Sequence, residues 1–93
     1  MLWAEEGEQV VLDWWTRDGN EEVLGLIRDL AADVEGGLLY ERHKVAALST
    51  QGDSYVVDLP VYGWCVVVEI LFDRVELLSI LDNHPSEDDF LIP

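Results

Sequence analysis

From Asp53 to Asp82 the chain reads DSYVVDLPVYGWCVVVEILFDRVELLSILD, three apolar runs parted by short breaks at Tyr62-Gly63 and Asp73-Arg74. In the first run Tyr55, Val57, Leu59 and Val61 alternate with Val56, Asp58 and Pro60, the pattern of a strand with one buried face. Pro60 has no N–H to donate, so this strand ends there or has a free edge there. The second run sets Trp64, Val66, Val68, Ile70 and Phe72 in one unbroken apolar row, with Cys65, Val67, Glu69, Leu71 and Asp73 on the mixed opposite side. It reads as the central strand, its apolar row lying under helices. The third run spans about Val75 to Leu81 and completes a three-stranded antiparallel meander.

Upstream the period changes from two to about 3.6. Val10, Val11, Trp14 and Trp15 recur on one helical face, after Glu5, Glu6 and Glu8 have put negative charge where a helix begins. A helix over residues 5–16 is expected, weakened in its first turn by Gly7. Val23, Ile27, Leu30 and Val34 form a second stripe, widened by Leu24 and Ala31. Asp18 or Asn20 can cap that helix, Glu21 and Glu22 suit its first turn, and Gly36-Gly37 can end it. The short join makes the pair an αα-hairpin. Met1 to Ala4 reads as a short edge strand, and residues 38–54 as either a short helix or an irregular crossover. The expected class is therefore α+β, in the order β-α-α-β-β-β, with the helices packed on one face of the sheet. Residues 1–84 should form one domain, followed by an acidic tail over 85–93 that closes with Phe90-Leu91-Ile92.

Charge changes the picture most. Twenty acids face five bases, a net charge of −15. Residues 1–37 hold ten acids and two bases, net −8, whereas residues 38–54 balance Glu41 and Asp53 against Arg42 and Lys44. Such a field disfavours direct binding of nucleic acid or anionic membranes and steers basic partners inward. An acidic surface with a single lysine also suits a salt-rich cytoplasm, where it serves solubility alone. Cys65 is the one cysteine and excludes an intramolecular disulfide; within its apolar run it reads as a small core residue. The sequence shows no signal-peptide pattern and no run long enough to cross a membrane, so a cytoplasmic protein is expected.

Certain motifs resemble the RelE/ParE superfamily of toxin–antitoxin toxins. Lys44 to Leu48 is similar to the approach to the family's second strand, Gly52-Asp53-Ser54-Tyr55 to its opening, and Trp64 to Ile70 to the strand often written YRVVYEI. VELLSILDNHPSED resembles the last strand and its end. The resemblance implies the same fold and, in the ribonuclease branch, arginines on the sheet with a terminal Tyr or His. Here Trp64-Cys65 and Val56-Val57 stand where that branch places charge. Only His84, with Arg74 nearby, matches the catalytic pattern. The ParE-type branch acts on a protein target and lacks that set, and in this respect the chain is closer to it.

Candidate chemistry is thin. His84 is either a general acid or a surface histidine; Glu69 is either its acid–base partner or an exposed strand carboxylate. Arg42-His43-Lys44, the one basic cluster, either meets an acidic partner or neutralises nearby helix carboxylates. No metal-ligand spacing or phosphate loop occurs, so no cofactor is expected. Trp14 and Trp15 point about 100° apart on a helix, giving either a core–lid pair or an exposed aromatic at an interface. Glu21, Glu22, Arg42, Lys44, Asp88, Asp89 and Phe90 complete the candidate interaction set. The expected function is that of a toxin-fold protein acting through protein–protein binding, not RNA cleavage, with an antitoxin-like partner or a second copy as a homodimer. The alternative is an acidic inhibitor or immunity-type protein that neutralises a basic nuclease or nucleic-acid-binding protein by charge mimicry.

Overall fold

The computed structural model describes residues 1–48, 52–61 and 63–82. The proposed boundary at residue 84 and the acidic tail lie outside them. The elements are β1 (Leu2–Trp3), α1 (Gly7–Arg17), α2 (Glu21–Glu35), α3 (Leu39–Arg42), β2 (Val45–Ala47), β3 (Ser54–Asp58), β4 (Cys65–Ile70) and β5 (Arg74–Leu81). The class is α+β, as the hydrophobic pattern requires. Two features extend it. Residues 38–54 supply both a one-turn helix and a strand, so the meander has four strands, and β1 joins the sheet parallel to β5. The sheet is thus mixed, in the order β1-β5-β4-β3-β2.

Local chemistry explains the helices. Asn20, extended at φ −81° and ψ 106°, accepts a hydrogen bond from the Val23 amide and starts α2. Gly37, at φ 76°, lets the chain turn out of it. The cap of α1 is different. Glu6 makes no side-chain bond, and the first turn is held by Gly7 and Glu8 amides donating to Ala4 and Glu5 carbonyls. Gly7 has a tertiary reason. A Cβ there would lie 2.9 Å from the Leu77 Cβ and 3.2 Å from the Leu77 amide nitrogen, so the missing side chain lets α1 rest on β5.

The core forms between the helices and one face of the sheet. Val11 and Trp14 from α1 and Val23, Ile27, Leu30 and Val34 from α2 pack against Val57, Val66, Val68, Val75, Leu77 and Ile80. Pairing explains this set: Val57 lies opposite Val66, Val66 opposite Ile80, and Val68 opposite Leu77. Burying each such side chain contributes about 1.5–3 kcal/mol. Between Val67 and Val68 the register of β5 slips by one, leaving Leu78 unmatched and exposed.

Several details depart from the hydrophobic pattern. Phe72, expected in the buried row of the central strand, lies past the end of β4 in the turn to β5 and is fully exposed. β3 ends at Asp58, two residues before Pro60. Val56 and Cys65, on the face turned away from the core, are as buried as the core itself. Burial pushes the Cys65 thiol up to about 11, and the Asp58 carboxylate opposite it in the ladder adds to the shift. Cys65 is therefore an inert thiol at neutral pH, in keeping with its reading as a small core residue.

Candidate functional site

The outer surface of the α1–α2 hairpin carries the densest unused chemistry of the described residues. Trp14 and Trp15 divide there. Trp14 is 1% exposed and packs edge-on against Trp64, with ring centroids 6.0 Å apart. It is a core residue, and its place in the candidate interaction set is corrected accordingly. Trp15, a helical step of about 100° further round, is 37% exposed, with its ring tilted against Trp14 at 6.1 Å. Leu12, one turn earlier, is 57% exposed. Leu12 and Trp15 therefore form an apolar strip on the outside of α1.

The hairpin that carries this strip is rich in carboxylates. Glu5, Glu6, Asp13, Asp18, Glu21, Glu22 and Asp29 are all exposed. Arg28 bridges the two helices, donating to both Glu8 carboxylate oxygens at 2.7 and 3.1 Å. That hydrogen bond holds the Glu8 carboxyl below its ordinary range. Arg28 is thus engaged, and the remaining ion pairs among the described residues are Asp33 with Arg42 and His43, and Asp73 with Arg74. None of these reaches Glu21 or Glu22, which stay in solvent at the start of α2.

The basic cluster turns inward. His43 Nε2 lies 2.7 Å from Asp33 Oδ2, and Arg42 donates to Asp33 Oδ1 at 3.2 Å. Arg42 and His43 therefore both engage a carboxylate of α2, the plainer of the two readings; of the three, only Lys44 makes no ion pair among the described residues. Asp33 itself carries no signal in the sequence, because its two partners lie across a turn. An open cavity of about 700 Å³ adjoins this cluster, lined by Leu26, Asp29, Asp33, Arg42, His43 and Pro60. Among the described residues its lining offers no hydroxyl, thiol or amine to act as a nucleophile, and Arg42 and His43 both engage Asp33.

The candidate catalytic residues meet only in part. Arg74 and Glu69 share the sheet face turned away from the helices. Glu69 lies directly opposite Glu76, with Ser54 on its other side. Arg74, within 3.4 Å of Asp73, stands on the same face as these two opposed carboxylates. Such a surface repels phosphate. His84, Asp88, Asp89 and Phe90 lie outside the described residues. Among those described, no group of three His, Cys, Asp or Glu side chains is placed to hold a metal ion, and no helix is long and apolar enough to cross a membrane. No family model, curated protein or solved structure matches this chain.

Proposed function

We propose that this chain is a protein-binding domain whose working surface is the outside of the α1–α2 hairpin and whose partner is a basic protein. The observation that carries the reading is an apolar strip, Leu12 and Trp15, exposed on a hairpin whose carboxylates, apart from Glu8 and Asp33, form no ion pair among the described residues. An aromatic anchor supplies affinity when water is excluded around it, and the charges supply steering and selectivity. A partner with a cationic surface gains both. Its lysines and arginines meet Glu5, Asp13, Glu21 and Glu22, as they would meet the phosphates of a nucleic acid.

In the inhibitor or immunity-type version, the partner is a basic nuclease or nucleic-acid-binding protein held away from its substrate. In the RelE/ParE-like version, the partner is an antitoxin. The facing Glu69 and Glu76 favour the former over any reading that needs RNA on the sheet.

The test is expression of the full chain in a bacterial host, alone and together with any basic protein found encoded beside its gene. Binding that displaces nucleic acid from that protein, and that is lost when Trp15, Glu21 and Glu22 are replaced together by alanine, is the expected result. Growth arrest by the chain alone, removed by His84→Ala, would locate the activity in RNA cleavage and overturn the reading.

A further inference from the structure

The edge of the sheet formed by β2 carries a separate inference. β2 is the last strand on its side, and among the described residues none pairs with its outer edge. On the inner edge Leu48 donates to the Ser54 carbonyl at 2.9 Å, Asp58 donates to the Lys44 carbonyl at 3.4 Å, and Ala46 lies opposite Val56. The alternation of an antiparallel ladder then turns the N–H and C=O groups of Val45 and Ala47 outward. Edge strands in soluble proteins are commonly blunted by proline, charge or a bulge. Val45-Ala46-Ala47 has no proline and no charge, and its register with β3 is unbroken.

Charge selects the occupant. Two chains of −15 repel each other over most of their surface, but residues 38–54 are electrically balanced, with Glu41 and Asp53 against Arg42 and Lys44. This edge is therefore where a second copy meets the least repulsion. We infer that β2 pairs antiparallel with β2 of a second copy of this chain, about a twofold axis at Ala46. Val45 of each copy then exchanges backbone hydrogen bonds with Ala47 of the other. The two Ala46 side chains meet at the axis, small enough for strands about 4.8 Å apart. Lys44 comes opposite Leu48 of the second copy, whose amide bonds Ser54 next to Asp53, so opposite charges approach across the join. The sheet becomes continuous through both copies, and each keeps its helical hairpin free on the outside.

The contact is small, so the dimer is weak, and salt strengthens it by screening the net charge. Sedimentation equilibrium from about 10 µM to about 1 mM should show the average mass rising from monomer toward dimer, further at about 0.5 M salt than at low salt. Ala47→Pro removes only the outward amide and leaves the bonds of β2 to β3, so it should give a monomer throughout with an unchanged melting temperature. Ala47→Ser should dimerise like the native chain. Amide exchange in the native chain gives a second readout: protection of Val45 and Ala47 should rise with concentration. A native chain that stays monomeric over this range, a dimer that Ala47→Pro leaves intact, or exchange at Val45 and Ala47 independent of concentration would each overturn the inference.

Discussion

Helices α1 and α2 lie over the same sheet and carry the same sign of charge, yet they are built differently. α2 is a complete amphipathic helix. Its buried stripe of Val23, Ile27, Leu30 and Val34 faces the core, Asn20 caps its start, and its outer side is polar apart from Gly25 and Ala32. α1 buries only Gly7, Val11 and Trp14, has no side-chain cap, and leaves Leu12 and Trp15 in solvent. What holds α1 is tertiary: close approach to β5 at Gly7 and one large indole in the core. The difference teaches that α1 depends on a few tertiary contacts where α2 has a full apolar stripe, and that Leu12 and Trp15 bury less than Trp14. Leu12 and Trp15 are the apolar surface of α1 that the proposed partner would cover.

The contrast breaks most visibly at the two tryptophans. Trp14→Ala should lower stability by about 3–5 kcal/mol in urea or thermal unfolding, whereas Trp15→Ala should change it by about 1 kcal/mol or less. Equal losses would show that Trp15 is structural and remove the basis for an interaction surface. Gly7→Ala comes next. The added methyl meets the Leu77 Cβ and backbone, so a loss of about 1–3 kcal/mol is expected.

Gly25 gives the opposite sign. It sits mid-helix on the exposed side of α2, and a Cβ there would meet nothing within 4 Å. Gly25→Ala should therefore stabilise by about 0.5–1 kcal/mol, readable as a rise in melting temperature. A loss would mean that α1 and α2 do not differ in their dependence on close contacts.

The smallest effect is the link between the helices. The folded-state carboxyl of Glu8 sits below its ordinary value of 4.5 because it accepts from Arg28. A depressed carboxyl contributes stability above the unfolded value, and that contribution is lost as pH falls through the folded one. Both side chains are over 40% exposed, so solvent screening limits the pair to a few tenths of a kcal/mol, about 0.2–1 in general. The native chain should exceed Arg28→Gln by that amount at neutral pH, and the two should converge in acid. Taking the difference between them cancels the relief of net-charge repulsion that acid brings to both.

Much of this was legible in residue order alone. The stripe of α2, the Asn20 cap, the alternating run before Pro60 and the strand after Arg74 depend on neighbours a few positions away, and the structure has all of them. The acidity of residues 1–37 needed no structure either. Which side of an element faces in was less legible. Trp14 and Trp15 are identical in composition and adjacent in position, and only the placement of α1 over β5 separates core from surface. Phe72 continued an apolar row until the β4–β5 turn took it out of the sheet. Asp33 became the partner of Arg42 and His43 only after the chain had turned through α3.

The sequence by itself determined the class of fold, the two long helices and four of the five strands, and the sign of the surface field, because each follows from short-range patterning or from a sum over residues. Tertiary structure alone decided the parallel addition of β1, the conversion of residues 45–47 into an edge strand, the slip that exposes Leu78, and the pairing of Glu69 with Glu76. These rest on register between distant segments, where a shift of one residue reverses every side chain. No local pattern encodes that choice; the packing of the helices on one face of the sheet makes it.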